Sequence, residues 1–184
     1  MIGSAFTGPE KWILKGIPIL FIIGTVLHFT YDLLWKNPLV GLVSPVNESV
    51  WEHCKMVVWP IILWWSLYYI GPGQAQNIQS DAWFTGALAS LLTALLTIPL
   101  VFYFYIQAFG VELLWVDIFL LFASLLLGQL MGLHIYRHGG GLSTALVLVL
   151  FAVIVLAFMI FTFFPPKIPL FRDSSTGLYG IKRA

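Results

Sequence analysis

Residues 44–65 read SPVNESVWEHCKMVVWPIILWW. Two carboxylates (Glu48 and Glu52), Asn47, His53 and Lys55 fall within a few residues, and the chain then becomes almost wholly apolar. The apolar run calls for a nonpolar surrounding, whereas the polar mouth needs water, a partner or an ion. The entry has helix chemistry. Ser44 or Asn47 can cap, Pro45 suits a first turn, and Glu48 complements the positive end of a helix.

The whole chain repeats this contrast. Its 184 residues are 60% hydrophobic and 9% charged, with mean hydropathy +0.94, whereas soluble domains carry about 25% charged residues. This is the composition of a membrane protein. The formal net charge of +1 and the absence of any Lys/Arg run exclude a nucleic-acid partner, which requires a clustered basic surface. Cys54 is the single cysteine, so no intrachain disulfide or Cys-based zinc motif can form. The apolar run after MIGSAFTGPEKW has no small-residue cleavage site, so the first segment is expected to stay as an anchor.

A hydrocarbon core about 30 Å thick takes about 20 apolar helical residues. Five segments meet that length: about Trp12 to Trp35, Ser49 to Ile70, Trp83 to Phe109, Val111 to Tyr136 and Leu142 to Phe164. Gly, Pro or Asn breakers separate them. The expected fold is an all-α polytopic bundle of five transmembrane helices over residues 1–164, with membrane lipids as its surroundings. A short soluble tail, 165–184, begins at Pro165-Pro166, and its Leu170, Phe171, Leu178 and Tyr179 are expected to dock it on the bundle. Five crossings put Lys11, Lys15 and Arg137 at one face and Lys36, Lys55, Lys167, Arg172, Lys182 and Arg183 at the other. That bias favours a plasma-membrane protein with a cytoplasmic C-terminus.

The same alternation sets a depth for each ionisable residue. His28 and Asp32 lie four apart near the end of the first helix, on one side with Tyr31 and Trp35. Glu48, Glu52 and His53 re-enter at the same face, joined by Glu112, Asp117, Arg172 and Asp173. A charged group at the centre of a spanning helix costs about 2.5 to 3.5 kcal/mol on insertion scales, with less near the interface. Such a gathering needs pairing, water or an ion.

The bland account is a salt-bridged corner in which Lys36 or Lys55 neutralises a carboxylate. The functional account is a polar pocket with two chemistries open. In one, His28 and Asp32, with His53 and one of Glu48 or Glu52, hold a divalent metal such as zinc. In the other there is no metal, and the carboxylates and histidines exchange protons with a substrate or form a relay. Glu48 and Glu52 are the expected catalytic carboxylates, and Tyr31, Trp35, Asn47 and Trp51 the expected substrate contacts. His134 and His138 in HIYRH resemble a zinc pair but fall at the opposite face. Gly128 and Gly132 form a GxxxG pair that can seat a neighbouring helix of the bundle or a second copy of the chain.

HFTYDLLWKNPLVGLVSPVNESVWEHCK, with NESVWEH at its centre, and FFPPKIPLFRDSSTGLYGI, with its FRDxxTGxYG block, resemble a family of small uncharacterised bacterial multi-pass membrane proteins. That resemblance implies a membrane setting and no particular activity. Ser49 to His53 and His134 to His138 look like the Ser-x-x-x-His and His-x-x-x-His strings of the CREST membrane hydrolases, implying zinc chemistry on a lipid. His28 to Asp32 with Trp51-Glu52-His53 is similar to the helix signature of the five-helix sterol-isomerase and sigma-2 receptor fold. Three functions follow as alternatives: acid-base or metal-assisted chemistry on a lipid-like substrate, binding or carriage of an ion or small ligand, and a structural membrane subunit.

Overall fold

The computed structural model describes residues 6–181; Lys182 and Arg183, which enter the charge bias above, lie outside them. The elements are α1 (Gly8–Leu33), a 3-10 turn at Val40–Leu42, the single turn α2 (Val50–His53), α3 (Lys55–Ile70), the single turn α4 (Pro72–Ala75), α5 (Ser80–Phe109), α6 (Leu114–His138), α7 (Thr144–Phe163) and a 3-10 turn at Pro169–Phe171. An isolated bridge between Arg172 and Tyr179 is the one β-type pairing among the described residues. The all-α expectation holds.

Four helices, α1, α5, α6 and α7, are long and apolar enough to cross a membrane, which fits a multi-pass membrane protein and corrects the expected five. The difference lies in the segment expected as one helix from Ser49 to Ile70. It divides at Cys54, whose backbone N–H is shared between the carbonyls of Val50 (3.2 Å) and Trp51 (3.1 Å). The remaining α3 has 16 residues, about 24 Å at 1.5 Å per residue, short of a hydrocarbon core of about 30 Å. Composition explains the shortfall: Glu52, His53 and Lys55 occupy the entry turns, so continuous apolar sequence begins only at Met56.

α3 still runs antiparallel to α1 with their backbones close. A Cβ on Gly24 would lie 2.7 Å from the Met56 carbonyl, and one on Gly16 would lie 2.6 Å from the Trp64 ring nitrogen. The indoles of Trp12 and Trp64 stack at 4.1 Å, and each donates its N–H to the other's backbone carbonyl at 3.2 Å. Residues that must satisfy polar atoms without water are thereby satisfied by each other.

α5 and α6 form a hairpin around Gly110, whose φ of +70° is the left-handed conformation that ends α5. Gly132 packs against the backbone of Gly86, and Gly128 against that of Ser90. The GxxxG pair is therefore covered by α5 of the same chain. Between these helices and α3, Trp65 donates to Gln129 Oε1 at 3.2 Å, and Trp83 donates to the Trp65 carbonyl at 3.0 Å.

The two ends differ in chemistry. At one, Glu10 pairs with Arg137 at 2.6 Å, and Asp81 accepts the Thr144 N–H at 2.7 Å to cap α7. At the other, the residues after α7 close over the loop between α1 and α2. The Ser174 N–H donates to the Glu48 carbonyl at 3.4 Å, the Ser174 hydroxyl to Glu112 Oε1 at 3.3 Å, and Asn47 Nδ2 to the Gly180 carbonyl at 3.1 Å. The meeting of these segments rests on contacts and not on the number of crossings.

Candidate functional site

α2 begins at Val50, with Ser49 as its N-cap accepting the Glu52 N–H at 3.3 Å. Glu48 therefore precedes the helix, and the i,i+4 stripe that would have joined it to Glu52 does not form. The two carboxylates part company.

Glu52 turns inward. Its side chain is 3% exposed and that of Lys55 0%, with Lys55 Nζ 2.6 Å from Glu52 Oε2. Lys55 also donates to the carbonyls of Gly41 (2.6 Å) and Ser44 (3.5 Å), while Glu52 Oε2 accepts the Val46 N–H (2.9 Å) and Glu52 Oε1 lies 3.4 Å from the Thr162 hydroxyl, itself 2.8 Å from the Phe158 carbonyl. A buried ion pair is tolerable when its remaining valences are filled in this way. The result is a knot tying the loop before α2 to α7.

Glu48 turns instead to the two histidines. His53 Nε2 lies 3.3 Å from Glu48 Oε2 and His28 Nε2 lies 4.0 Å from Glu48 Oε1. The imidazole rings stack with centroids 5.2 Å apart. One ligand atom from each of the three residues lies within 4.8 Å of the others. Ligands at about 2.0 to 2.1 Å from a tetrahedral zinc ion are about 3.3 Å apart, so these groups would have to draw closer to share one ion.

Local bonding orients the imidazoles. His53 Nδ1 is 2.9 Å from the Ser49 carbonyl; a carbonyl only accepts, so Nδ1 carries the hydrogen and Nε2 points at Glu48. His28 Nδ1 is buried with no hydrogen-bond partner among the described residues. The hydrogen bond from His53 holds the Glu48 carboxyl below the ordinary carboxylate range, against its partial burial. For His53, burial disfavours charge, but the bonds to Glu48 and the Ser49 carbonyl outweigh it and raise the imidazole. Both residues lie outside the four spanning helices.

Next to the cluster a cavity of about 430 Å³ opens, with His28, Glu48 and His53 on one wall and Glu112 and Asp117 among its other lining residues. Its remaining lining is apolar, from Met56, Ile98, Phe102 and Leu121 among others. The Tyr105 hydroxyl donates to Asp117 Oδ1 at 2.6 Å. Phe29 of α1 and Leu114 of α6 also line the cavity and are 62% and 70% exposed. The cavity rim therefore includes exposed apolar side chains of the bundle. Sequence reasoning placed Glu112 and Asp117 at this end without a role; the usable signal is that Tyr105 and Asp117 flank the turn, five residues before and seven after Gly110, so a hairpin brings them together.

The other expected residues lie elsewhere. Asp32 is 76% exposed and pairs with Lys36 at 3.5 Å on the surface, so of the expected metal ligands it stands apart from the cluster of His28, Glu48 and His53. Four residues turn a helix by about 40° beyond one full turn, which carries Asp32 outward past the edge that His28 occupies. Tyr31 is buried, with Gly41 beside its ring. Trp35 is exposed in a left-handed turn, φ +55°. Asn47 accepts the Ser49 N–H at 2.9 Å and shapes the loop. Trp51 stacks on Phe158 at 4.1 Å and lines a separate apolar cavity of about 250 Å³ with Cys54, Pro99 and Leu170. His134 and His138 lie near Arg137 at the far end of α6, about 25 Å along the helix from Asp117 at 1.5 Å per residue.

No curated protein and no solved structure matches the chain. Its helices, its polar end and its closing turns nevertheless fall within one family match that runs from residue 1 to residue 181, and the chain belongs to that family, DUF6512, a family of unknown function.

Proposed function

We propose that this is a plasma-membrane protein in which His28, Glu48 and His53 bind a divalent metal such as zinc, and that the site performs metal-assisted chemistry on a lipid-like substrate held in the adjoining cavity. One observation carries the reading: three side chains of the ligand types zinc prefers converge within 4.8 Å at the polar wall of an apolar cavity. Three protein ligands leave a position for water, whose pKa a bound zinc lowers to about 7. The cavity wall then sets an apolar chain beside that position.

With Lys55 buried in its pair, the described basic residues divide evenly, Lys36, Lys167 and Arg172 at the site's end and Lys11, Lys15 and Arg137 at the other. A cytoplasmic C-terminus is therefore proposed on the bias of the whole sequence alone. A second reading draws on the His53–Glu48 contact of 3.3 Å, which in the absence of a metal is a proton-exchanging pair.

The test is titration of chelator-treated, detergent-solubilised protein with Zn²⁺. One ion per chain is expected, with affinity falling at least about 100-fold in His28→Ala and His53→Ala. Zinc uptake that neither substitution alters overturns the metal site. Turnover of a panel of lipid esters and amides by the loaded protein separates enzyme from binder.

A further inference from the structure

We infer that the amphiphile accepted by this cavity carries a cationic head group, an amine, on a single apolar chain. The inference rests on the cavity being the substrate's place and adds the substrate's charge. Three carboxylates line the cavity, from Glu48, Glu112 and Asp117, together with two imidazoles, and no Lys or Arg lines it. Two cations of this end are committed elsewhere: Lys55 is buried against Glu52, and Lys36 pairs with Asp32 on the surface.

On the side of the cavity away from the His28, Glu48 and His53 cluster, an anionic head would face Glu112 and Asp117 with no lining Lys or Arg to answer it. A neutral head would leave Glu112 and Asp117 without a cation. An ammonium group answers them. Tyr105 donates to Asp117 Oδ1, and Asp117 Oδ2 accepts no hydrogen bond among the described residues, so a second acceptor remains on the α6 wall. The charge sum agrees. Three carboxylates against one divalent ion at His28, Glu48 and His53 and one ammonium beside Asp117 and Glu112 come to zero, with both histidines neutral ligands. The apolar lining and the exposed Phe29 and Leu114 at the rim suit an apolar chain. A volume of about 430 Å³ is near the lower end of the roughly 300 to 1,000 Å³ of small-molecule sites, which suits one chain and not two.

The experiment uses full-length protein in a nonionic detergent and four ligands with the same tetradecyl chain: the primary amine, the trimethylammonium, the alcohol and the carboxylate. Binding is read by calorimetry and by the shift in unfolding midpoint. The two cationic ligands are expected to bind at least about tenfold more tightly than the other two, a preference of about 1.4 kcal/mol. Asp117→Asn with Glu112→Gln is expected to remove that preference and leave the alcohol unchanged. Should the double variant fail to fold, Glu112→Gln alone, at an exposed position, must reduce the preference.

Equal binding of the alcohol or the carboxylate overturns the inference, as does a cation preference that survives the substitutions. Each series is run with zinc-loaded and with chelator-treated protein. A cation preference without stoichiometric zinc uptake sinks the metal site and keeps this inference, whereas zinc uptake without the preference does the reverse.

Discussion

Glu52 and His53 are neighbours in the chain, and the polar groups built on them are finished differently. Around Glu52, valences are filled. The three donors of the Lys55 ammonium go to Glu52 and to the carbonyls of Gly41 and Ser44, Glu52 Oε2 also accepts the Val46 N–H, and Oε1 is closed off beside the Thr162 hydroxyl. Around His53, valences are left over. Glu48 is 48% exposed, His28 Nδ1 has no partner among the described residues, and a cavity adjoins both. Polarity in an apolar protein thus has two physical meanings: a saturated group holds elements together, and an unsaturated one beside a hollow is available for a ligand.

The comparison breaks most sharply at Lys55. Lys55→Met strands the Glu52 carboxylate in the interior and should cost about 3 to 5 kcal/mol, seen as lost yield or a large fall in the unfolding midpoint. Lys55→Met combined with Glu52→Gln should recover most of that loss, because no uncompensated charge remains. A single variant as stable as the parent would mean that the knot holds nothing.

Gly132→Ala comes next. Its Cβ would sit 2.7 Å from the Gly86 carbonyl, and forcing α5 from α6 should cost about 1 to 3 kcal/mol, measured by denaturation in mixed micelles. An unchanged midpoint would show that the two helices can part without penalty.

His53→Ala and Glu48→Gln sharpen the other side of the comparison. Each should move stability by less than about 1.5 kcal/mol, the net worth of an ordinary hydrogen bond, while abolishing tight zinc binding. A stability loss as large as that of Lys55→Met would make the cluster a second structural knot. The smallest effect belongs to Asp32→Asn. Its surface pair with Lys36 is worth about 0 to 1 kcal/mol, and zinc affinity should stay within about twofold in calorimetric titration.

Much of the fold was legible because hydropathy and breakers act locally. α1, α5, α6 and α7 fall within a few residues of the expected boundaries. The second segment misled because a hydropathy run does not show where its entry turns spend their polar groups: Glu52 and Lys55 are met by Val46, Gly41 and Thr162, the last 110 residues away in sequence. The gathering of His28, Glu48 and His53 at one end was legible from alternation. Which of Asp32, Glu48 and Glu52 would join the two histidines was not. It turned on α2 beginning at Val50, which frees Glu48 from the helix, and on a rotation of about 40° that carries Asp32 to the surface. Glu112 and Asp117 show the same limit, since their role depends on a hairpin register that no single helix reveals.

The central claim is that His28, Glu48 and His53 act together as ligands. X-ray absorption at the zinc edge of the loaded, full-length protein tests it most directly. The account predicts two imidazole nitrogens and one carboxylate oxygen at about 2.0 to 2.2 Å, with one imidazole lost in His28→Ala. Zinc surrounded by oxygen alone, or a spectrum that His28→Ala leaves unchanged, would contradict it.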